Sequence, residues 1–247
     1  MAKPAGSACN LDCAYCFYLS KRVLPGGPGS GHMPDEVLER FVKDYIDSVT
    51  SDEVVFSWQG GEPTLLGLEF FEKVVTLQAK HAKPGQRIEN DLQTNGTLLD
   101  DDWARFLKQH RFLVGLSIDG PREIHDHCRI TKHAEPTFDQ VFAAAKMLQK
   151  HGVRFNTLTC VHRYNASRPL DVYRFLRREI GSTYIQFIPI VEIRGFENMA
   201  PGTWDEAKLP MLGDPRCHPD HPESVVTPWS VAAEEYGYFL SKIWDEW

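Results

Sequence analysis

The 247-residue sequence has no run rich in lysine or arginine, and its 34 acidic residues outnumber its 27 basic ones. The resulting net charge of −7 argues against a general nucleic-acid-binding protein. No apolar stretch approaches the length of a membrane span, and the opening MAKPAGSACNLDC lacks the apolar core of a secretory signal peptide. These absences predict a cytoplasmic protein with neither a nucleic-acid nor a membrane partner.

Cysteine is also scarce, with six residues in all. Six are too few for a disulfide framework in a chain of this length. Three of them lie together in SACNLDCAYCFY, at positions 9, 13 and 16. Clustered cysteines in a chain with no secretion signal predict metal chemistry in a reducing compartment. The remaining composition, 42% hydrophobic and 25% charged, is ordinary for a globular protein with a substantial core.

Short apolar runs of strand type alternate along the chain with longer segments of helical periodicity, a pattern typical of α/β proteins. The residues before Cys9 supply one further, very short strand. Parallel βα repeats of this kind either wind an open sheet or curl into a barrel. The predicted strands are Glu53–Trp58, Ile88–Thr94, Phe112–Ile118, Arg154–Val161 and Tyr184–Ile190. The predicted helices between and around them are Pro34–Ser48, Leu68–His81, Asp101–Gln109, Thr137–His151 and Pro169–Glu179.

The pattern divides the chain into three parts. Residues 1–191 form the βα core, and residues 192–226, rich in proline, glycine and charge, are predicted to be a loop or insertion. Residues 227–247 are predicted to form a final helix, which reaches Trp247 without a glycine, asparagine or proline stop signal. We therefore expect that a C-terminal part is absent from this chain.

Polar and chemically reactive residues follow several of the predicted strands. In parallel βα folds, ligands bind at the loops after the carboxyl ends of the strands. The sequence therefore predicts one functional rim, formed by Cys9–Cys16, Gly60–Pro63, Asn95, Ser117 and Asp119.

Three clustered cysteines are one short of the usual metal site. A structural zinc ion takes four protein ligands, and the nearest candidate for a fourth is His32, beyond a glycine-rich stretch. Common iron–sulfur clusters are also held by four thiolates. A cluster held by three leaves one iron open, and an open coordination position can bind a small molecule, as it does at catalytic zinc sites.

The C-x3-C-x2-C spacing, with Tyr15 just before the last cysteine, resembles the signature of the radical S-adenosylmethionine enzymes. The resemblance implies a partial (β/α)6 parallel barrel in which Cys9, Cys13 and Cys16 hold a [4Fe-4S] cluster. It further implies that the open iron binds the amino and carboxylate groups of S-adenosyl-L-methionine. One-electron cleavage of that cofactor would then give a 5′-deoxyadenosyl radical, which abstracts hydrogen from the substrate.

The same resemblance assigns S-adenosylmethionine contacts to further residues. GGEP, which follows the first strand, is similar to the motif that binds the amino group, through Gly60, Gly61 and Glu62. The backbone of Tyr18 falls on the adenine contact, and Ser117 on a ribose contact. Arg129 is a candidate fork for the carboxylate. Gln59 and Val191 fall on two further cofactor contacts that are implied for one family within these enzymes.

Four longer stretches are similar to the anaerobic sulfatase-maturating enzymes: CNLDCAYCFY, WQGGEPTLLGLEFFEK, LQTNGTLLDDDWARFL and FLVGLSIDGPREIHD. Members oxidise a cysteine or serine of a sulfatase polypeptide to formylglycine, which implies that polypeptide as a partner. A one-electron reductant such as flavodoxin or ferredoxin is implied as a second partner. Relatives also carry a C-terminal module with two more clusters, and Cys128, Cys160 and Cys217 do not match its ligand pattern.

Two alternatives remain open. The first keeps the radical chemistry but acts on another ribosomally made peptide, since maturases of such peptides share these motifs. The second is a non-catalytic iron–sulfur or zinc protein that serves as a scaffold or an electron carrier. The motif GGEP and Gln59 favour the catalytic hypotheses, because a scaffold would not need them.

Overall fold

The computed structural model describes residues 1–16, 18, 32–195, 210–211 and 213–247. Helices and strands alternate along most of this chain, as the sequence predicts. Within the described ranges, no helix is both long and apolar enough to cross a bilayer. The helices are α1 (Asp35–Ser48), α2 (Leu68–His81), α3 (Asp101–Gln109), α4 (Arg122–Cys128), α5 (Phe138–Lys150), α6 (Arg163–Ala166), α7 (Pro169–Arg174) and α8 (Ala233–Glu246).

Five strands form one sheet in the order β1-β2-β3-β4-β5, so that each strand neighbours the next one along the chain. The pairs β1–β2, β2–β3 and β4–β5 are parallel. Parallel neighbours require crossover connections, and the helices between the strands supply them. The strands are β1 (Glu53–Trp58), β2 (Arg87–Thr94), β3 (Leu113–Ser117), β4 (Arg154–Val161) and β5 (Ile185–Pro189). The predicted α/β class and strand positions are confirmed.

The chain divides into two compact units, and β4 begins in the first and ends in the second. The first unit comprises Met1–Asn10, Gly26–Ser117 and Gln140–Asn156. Its core is aromatic: the buried Trp58 stacks on Phe56 and meets Phe71 edge-on, with ring centroids 5.9 Å apart in both pairs. The indole N–H of Trp58 donates to Asn90 at 2.8 Å, which satisfies the one polar atom of that ring.

The second unit comprises Leu11–Pro25, Ile118–Asp139 and Thr157–Trp247. Its core includes Phe239 of α8, which lies edge-on to Phe187 of β5 at 5.1 Å between centroids. Helices α7 and α8 are joined at the surface, where Arg174 donates two hydrogen bonds of 2.8 Å to Glu246. A two-point Arg–carboxylate pair fixes orientation as well as distance.

Two elements differ from the sequence prediction. The extra strand expected before Cys9 is a single parallel bridge between Ala2 and Trp58, because the chain turns at once through Gly6. The final helix begins at Ala233 and not at Thr227. The N–H groups of Thr227 and Val231 donate to the carbonyls of Glu192 and Ile190, which holds this segment in a non-helical path.

The remaining boundaries agree to within one or two residues, except that α7 continues through the π-helical segment Phe175–Glu179. Helices α4 and α6 are short and were not predicted. The described part of the predicted loop 192–226 contains a bridge between Ile193 and Val226 and one short 3-10 turn. The division into 1–191, 192–226 and 227–247 stays a prediction.

Candidate functional site

The first cysteine of the loop belongs to the first unit, where it lies against the carboxyl end of β2. The amide nitrogen of Asn95 is 3.7 Å from the sulfur of Cys9 and donates to the side chain of Asn10 at 2.9 Å. The amide of Asn10 in turn donates to Thr97 at 2.8 Å. The Asn95-Gly96 turn after β2 therefore holds the start of the cysteine loop.

The other two cysteines belong to the second unit, where the loop pairs with the chain at and just after the end of α4. The N–H of Asp12 donates to the carbonyl of Ile130, and that of Ala14 to the carbonyl of Cys128, both at 2.9 Å. A turn between Cys13 and Cys16 is closed by a backbone hydrogen bond of 2.9 Å. All six cysteines of the chain are thiols, without a disulfide bond among them.

In the described part of the chain, no group of three or more His, Cys, Asp or Glu side chains is arranged so that it could hold a metal ion. Cys9 lies in the first unit and Cys13 and Cys16 in the second, so each unit presents its own share of the predicted ligands. The chemistry of the donor set nevertheless fits the predicted cluster, because three thiols lie within eight residues on one irregular segment. The assignment of these three ligands stays a prediction.

The two glycines of GGEP are required by a close approach of the chain itself. The N–H of Gly61 donates to the carbonyl of Gly6 at 2.9 Å, and the N–H of Glu62 to that of Ala8 at 2.7 Å. A Cβ on Gly61 would lie 2.0 Å from the carbonyl oxygen of Ala8. Gly60 has a φ of +127°, which side chains rarely adopt. The motif thereby fixes the segment that leads directly into Cys9.

Glu62 is fully buried, and its carboxylate is bound by its own chain. One oxygen accepts from the N–H and the hydroxyl of Thr64 and from the hydroxyl of Thr94, at 2.6–3.0 Å. The other accepts from the N–H of Asn95 at 2.7 Å. Burial raises the pKa of Glu62, and these hydrogen bonds oppose that shift. Glu62 connects GGEP to the end of β2.

A buried ion pair lies behind the second part of the cysteine loop. Arg129 donates to both oxygens of Asp119, from Nε at 2.9 Å and from Nη2 at 3.1 Å. The hydroxyl of Tyr15 donates to the same carboxylate, and the N–H of Cys160 donates to it at 3.0 Å. Burial opposes ionisation of Asp119, but Arg129 and the nearby histidines outweigh it, and the pKa of Asp119 is lowered.

This pairing limits what Arg129 can offer a second carboxylate. Its Nε and Nη2 are engaged by Asp119, and Nη2 is also 3.8 Å from the sulfur of Cys160. The predicted fork for S-adenosylmethionine would have to use the remaining nitrogen, Nη1. That role for Arg129 stays a prediction, now with one available donor atom in place of two.

Three of the other four predicted contact residues lie where strands end. Gln59 follows β1 and is half-buried, and Ser117 is the last residue of β3. Val191 lies just past β5 and is 63% exposed. Tyr18 is half-buried. Gln59, Ser117 and Val191 therefore follow the rule that parallel strands present ligand-facing residues at their carboxyl ends, whereas Tyr18 lies beside the cysteine loop; the individual contacts of all four stay predictions.

Sequence reasoning missed His162, which follows β4. The side chain is fully buried, and neither ring nitrogen has a hydrogen-bond partner among the described residues. Its ring stacks on Tyr15 at 5.2 Å, and burial lowers the pKa of His162 to about 4. The only signal in the sequence was its position after a strand. Cys128 is the fully buried last residue of α4.

Comparison with known proteins decides the family. The profile of the radical SAM superfamily matches residues 4–176, which is more than half of the chain. This chain belongs to the radical SAM superfamily. The match covers the cysteine loop, GGEP and the Asp119–Arg129 pair.

Two relatives of this radical SAM protein are close in sequence. A serine-type anaerobic sulfatase-maturating enzyme of Bacteroides thetaiotaomicron is 42% identical over 247 residues, which is 100% of this chain and 56% of that protein. A cysteine-type anaerobic sulfatase-maturating enzyme of Clostridium perfringens is 45% identical over 214 residues, 85% of this chain and 57% of the relative. The chain spans slightly more than half the length of the curated relatives it matches.

A solved structure of native anSMEcpe with bound AdoMet and Cp18Cys peptide matches with a TM-score of 0.79 and 38% identity. The match covers 99% of this chain and 58% of that one. It confirms the predicted α/β fold of a partial parallel barrel, here with five strands in the described residues. A structure of SuiB from Streptococcus suis, at 16% identity and a TM-score of 0.58, shows likeness of fold alone.

Proposed function

We propose that this radical SAM domain oxidises a cysteine or serine of a sulfatase polypeptide to formylglycine, with a [4Fe-4S] cluster and S-adenosyl-L-methionine as cofactors. The similarity to the serine-type enzyme, 42% over the whole chain, carries the proposal. When bound, these cofactors supply one-electron cleavage of a carbon–sulfur bond and abstraction of a hydrogen atom. That step is beyond the reach of acid or base groups alone, so the cofactors must provide it.

Cys9, Cys13 and Cys16 would hold the cluster. Two features of the chain support this assignment: the loop start is held by Asn95, and the middle of the loop pairs with the chain at the end of α4. Both contacts fix the segment that carries the thiols. The chain contributes three thiol ligands in this proposal and leaves the remaining coordination to the cofactor.

The loops after the strands would hold S-adenosyl-L-methionine. The backbone of Gly60 and Gly61 would accept from its ammonium group, with Glu62 fixing that turn, and Ser117 would contact the ribose. Arg129 would approach the carboxylate through Nη1. The remaining proposed contacts, which rest on the resemblance of sequence, are Tyr18, Gln59 and Val191.

The proposed substrate reaction must balance two electrons. One hydrogen atom would leave the Cβ of the substrate residue for the 5′-deoxyadenosyl radical, the proton of the hydroxyl or thiol group would pass to water, and a second electron would pass to a one-electron acceptor such as an oxidised flavodoxin or ferredoxin. A serine then becomes the aldehyde directly, whereas a cysteine becomes a thioaldehyde that exchanges its sulfur for oxygen with water. The protein would hold Cβ near the reactive carbon and exclude water during the first step. An electron donor such as flavodoxin or ferredoxin is the proposed second partner, and the cytoplasm the proposed location.

The test uses this chain, reconstituted with iron and sulfide without oxygen and then reduced. We expect 5′-deoxyadenosine to form, together with formylglycine in a peptide bearing Cys-x-Pro-x-Arg or its serine counterpart, detected by mass spectrometry. Cys13→Ser should lose bound iron, while Cys217→Ser, an exposed thiol outside the loop, should retain it.

Each failure has a distinct meaning. Absence of 5′-deoxyadenosine with a fully assembled cluster would overturn the catalytic proposal. Formation of 5′-deoxyadenosine with no change in either peptide would overturn the sulfatase step and favour a maturase of another ribosomal peptide. Tightly bound zinc with no iron uptake would support the non-catalytic alternative.

A further inference from the structure

The Asp119–Arg129 pair lies entirely inside the second unit, with 0% and 9% of the respective side chains exposed. Charges are seldom buried to this degree, since taking two ions out of water is costly unless their hydrogen bonds are satisfied. Here the carboxylate accepts from Arg129 twice, from the N–H of Cys160 and from the hydroxyl of Tyr15. The hydrogen bonds of the buried carboxylate are therefore satisfied, and one of the donors is a side chain of the cysteine loop.

That side chain is Tyr15, which stands between Cys13 and Cys16. It is buried, and its hydroxyl is directed at Asp119 while the guanidinium of Arg129 lies over its ring, 5.6 Å from the centroid. Arg129 thus contacts both members of the Tyr15–Asp119 hydrogen bond. The aromatic ring adds a cation–π contact to the ion pair.

The backbone repeats the same connection. Arg129 lies between Cys128 and Ile130, whose carbonyls accept from the N–H groups of Ala14 and Asp12. The segment that contains Arg129 therefore also binds the backbone of the cysteine loop.

We propose that Asp119 and Arg129 are positioning residues for the cysteine loop: they hold Tyr15, and through it Cys13 and Cys16, while adding no net charge beside the metal site. The inference rests on the proposed function in one respect, that these cysteines hold a cluster. If the pair served only to stabilise the core, removing one charge would lower the free energy of unfolding. It would not shift the midpoint potential of the cluster in the direction set by the charge that remains.

The first test needs no cofactor. Amide hydrogen exchange at Asp12 and Ala14 is measured in the protein without cofactors. Tyr15→Phe is the mildest of the variants, because it removes only the hydroxyl group that contacts Asp119. We expect exchange at these two amides to become at least tenfold faster in Tyr15→Phe and in Asp119→Asn. Arg122→Gln is the matched control, because it breaks an exposed Arg–Asp pair with Asp139. Unchanged exchange in both loop variants would overturn the anchoring role.

The second test measures the midpoint potential of the reconstituted cluster by redox titration followed with electron paramagnetic resonance. Asp119→Asn leaves the positive charge of Arg129 unbalanced. Because a nearby positive charge favours the reduced cluster, which carries one more electron, we expect a higher midpoint potential. Asp119→Asn with Arg129→Gln removes both charges and should return the potential toward that of the unaltered protein. Tyr15→Phe changes no charge and should leave the potential where it was. Equal potentials in all variants, or a double variant no closer to the starting value than Asp119→Asn, would overturn the charge-balancing role.

These outcomes separate the inference from the proposed function. If the unaltered protein takes up no iron, the proposed function fails, and hydrogen exchange still decides whether the pair anchors the loop. If the cluster assembles and the potentials do not respond, the proposed function stands and the charge-balancing role fails.

Discussion

The carboxylate of Glu62 accepts a hydrogen bond of 2.7 Å from the N–H of Asn95, and through it the turn after β1 is fixed to the end of β2. Asn95 in turn contacts Cys9 and Asn10 with its side chain. A glutamate that the sequence resemblance assigns to S-adenosylmethionine binding thus also supports the start of the cysteine loop. Its four hydrogen bonds come from three residues of the first unit.

Glu62→Gln is expected to destabilise the fold. Glutamine can keep one oxygen toward Thr64 and Thr94, but its NH2 group then faces the N–H of Asn95, so two donors oppose each other in a buried site. An unsatisfied buried donor costs about 1–3 kcal/mol. Urea unfolding measures the loss. Glu69→Gln, an exposed glutamate in the first turn of α2, is the control and should change the free energy of unfolding by less than about 0.5 kcal/mol. Equal effects of the two variants would show that the carboxylate of Glu62 does not hold the turn after β1 to the end of β2.

Gly61→Ala should be more severe, because the new methyl group meets backbone. Its Cβ would lie 2.0 Å from the carbonyl oxygen of Ala8, so residues 6–8 would have to move. Overpacking costs about 1–3 kcal/mol and more where the neighbour cannot yield. Gly237→Ala is the matched control, since that glycine lies in α8 with open space around it and alanine favours a helix by about 1 kcal/mol. Thermal unfolding of both variants tests the contrast, and a stabilised Gly61→Ala protein would contradict the close approach.

Much of the fold could be predicted because it follows from local patterns. The strands are short and carry apolar residues at buried positions, and the helices carry periodic apolar faces, so most of their bounds came within one or two residues. The late start of α8 could not be found this way. Thr227 and Val231 bond to carbonyls more than thirty residues away in the chain, and such contacts override local helix propensity.

The site divides along the same line. The spacing of Cys9, Cys13 and Cys16 and the glycines of GGEP are visible in sequence, because each is a local motif. The pairing of Arg129 with Asp119 is not, since an arginine after a helix resembles any surface arginine until the fold buries it. His162 is similar, as burial alone distinguishes it from the exposed His133.

Stability should fall as the pH is lowered, because two buried histidines are held neutral. Burial lowers the pKa of His125 to about 3 and that of His162 to about 4, from an ordinary value near 6.5. Below pH 6.5 the unfolded chain therefore binds protons that the folded chain does not bind. The contribution of the neutral histidines to the free energy of unfolding is complete above that pH and is lost as the pH falls to 4 and then to 3. One pKa unit is worth about 1.4 kcal/mol, so each histidine accounts for a loss on the order of a few kcal/mol.

Urea unfolding across this pH range checks the effect with His162→Leu. The variant should show a shallower dependence between pH 6.5 and 4, because one proton-binding group has been removed. It should be at least as stable near neutral pH, since it also removes two buried ring nitrogens that lack partners among the described residues. His133→Leu, at an exposed position, should leave the slope unchanged. An unaltered slope in His162→Leu would contradict the neutral buried imidazole.

The cysteines outside the loop should differ sharply in reactivity. Burial raises the pKa of both Cys128 and Cys160 to about 12, whereas Cys217 is exposed in a short 3-10 turn. Only the thiolate reacts with an alkylating reagent, so reaction follows pKa and access together. A short pulse of iodoacetamide on the native protein should label Cys217 and leave Cys128 and Cys160 unmodified, as read by peptide mass spectrometry. Labelling in denaturant, where all three should react, is the control. Native labelling of Cys160 at the rate of Cys217 would mean that the region around Asp119 and Arg129 is open to solvent, and the buried ion pair could not then exist in the form described.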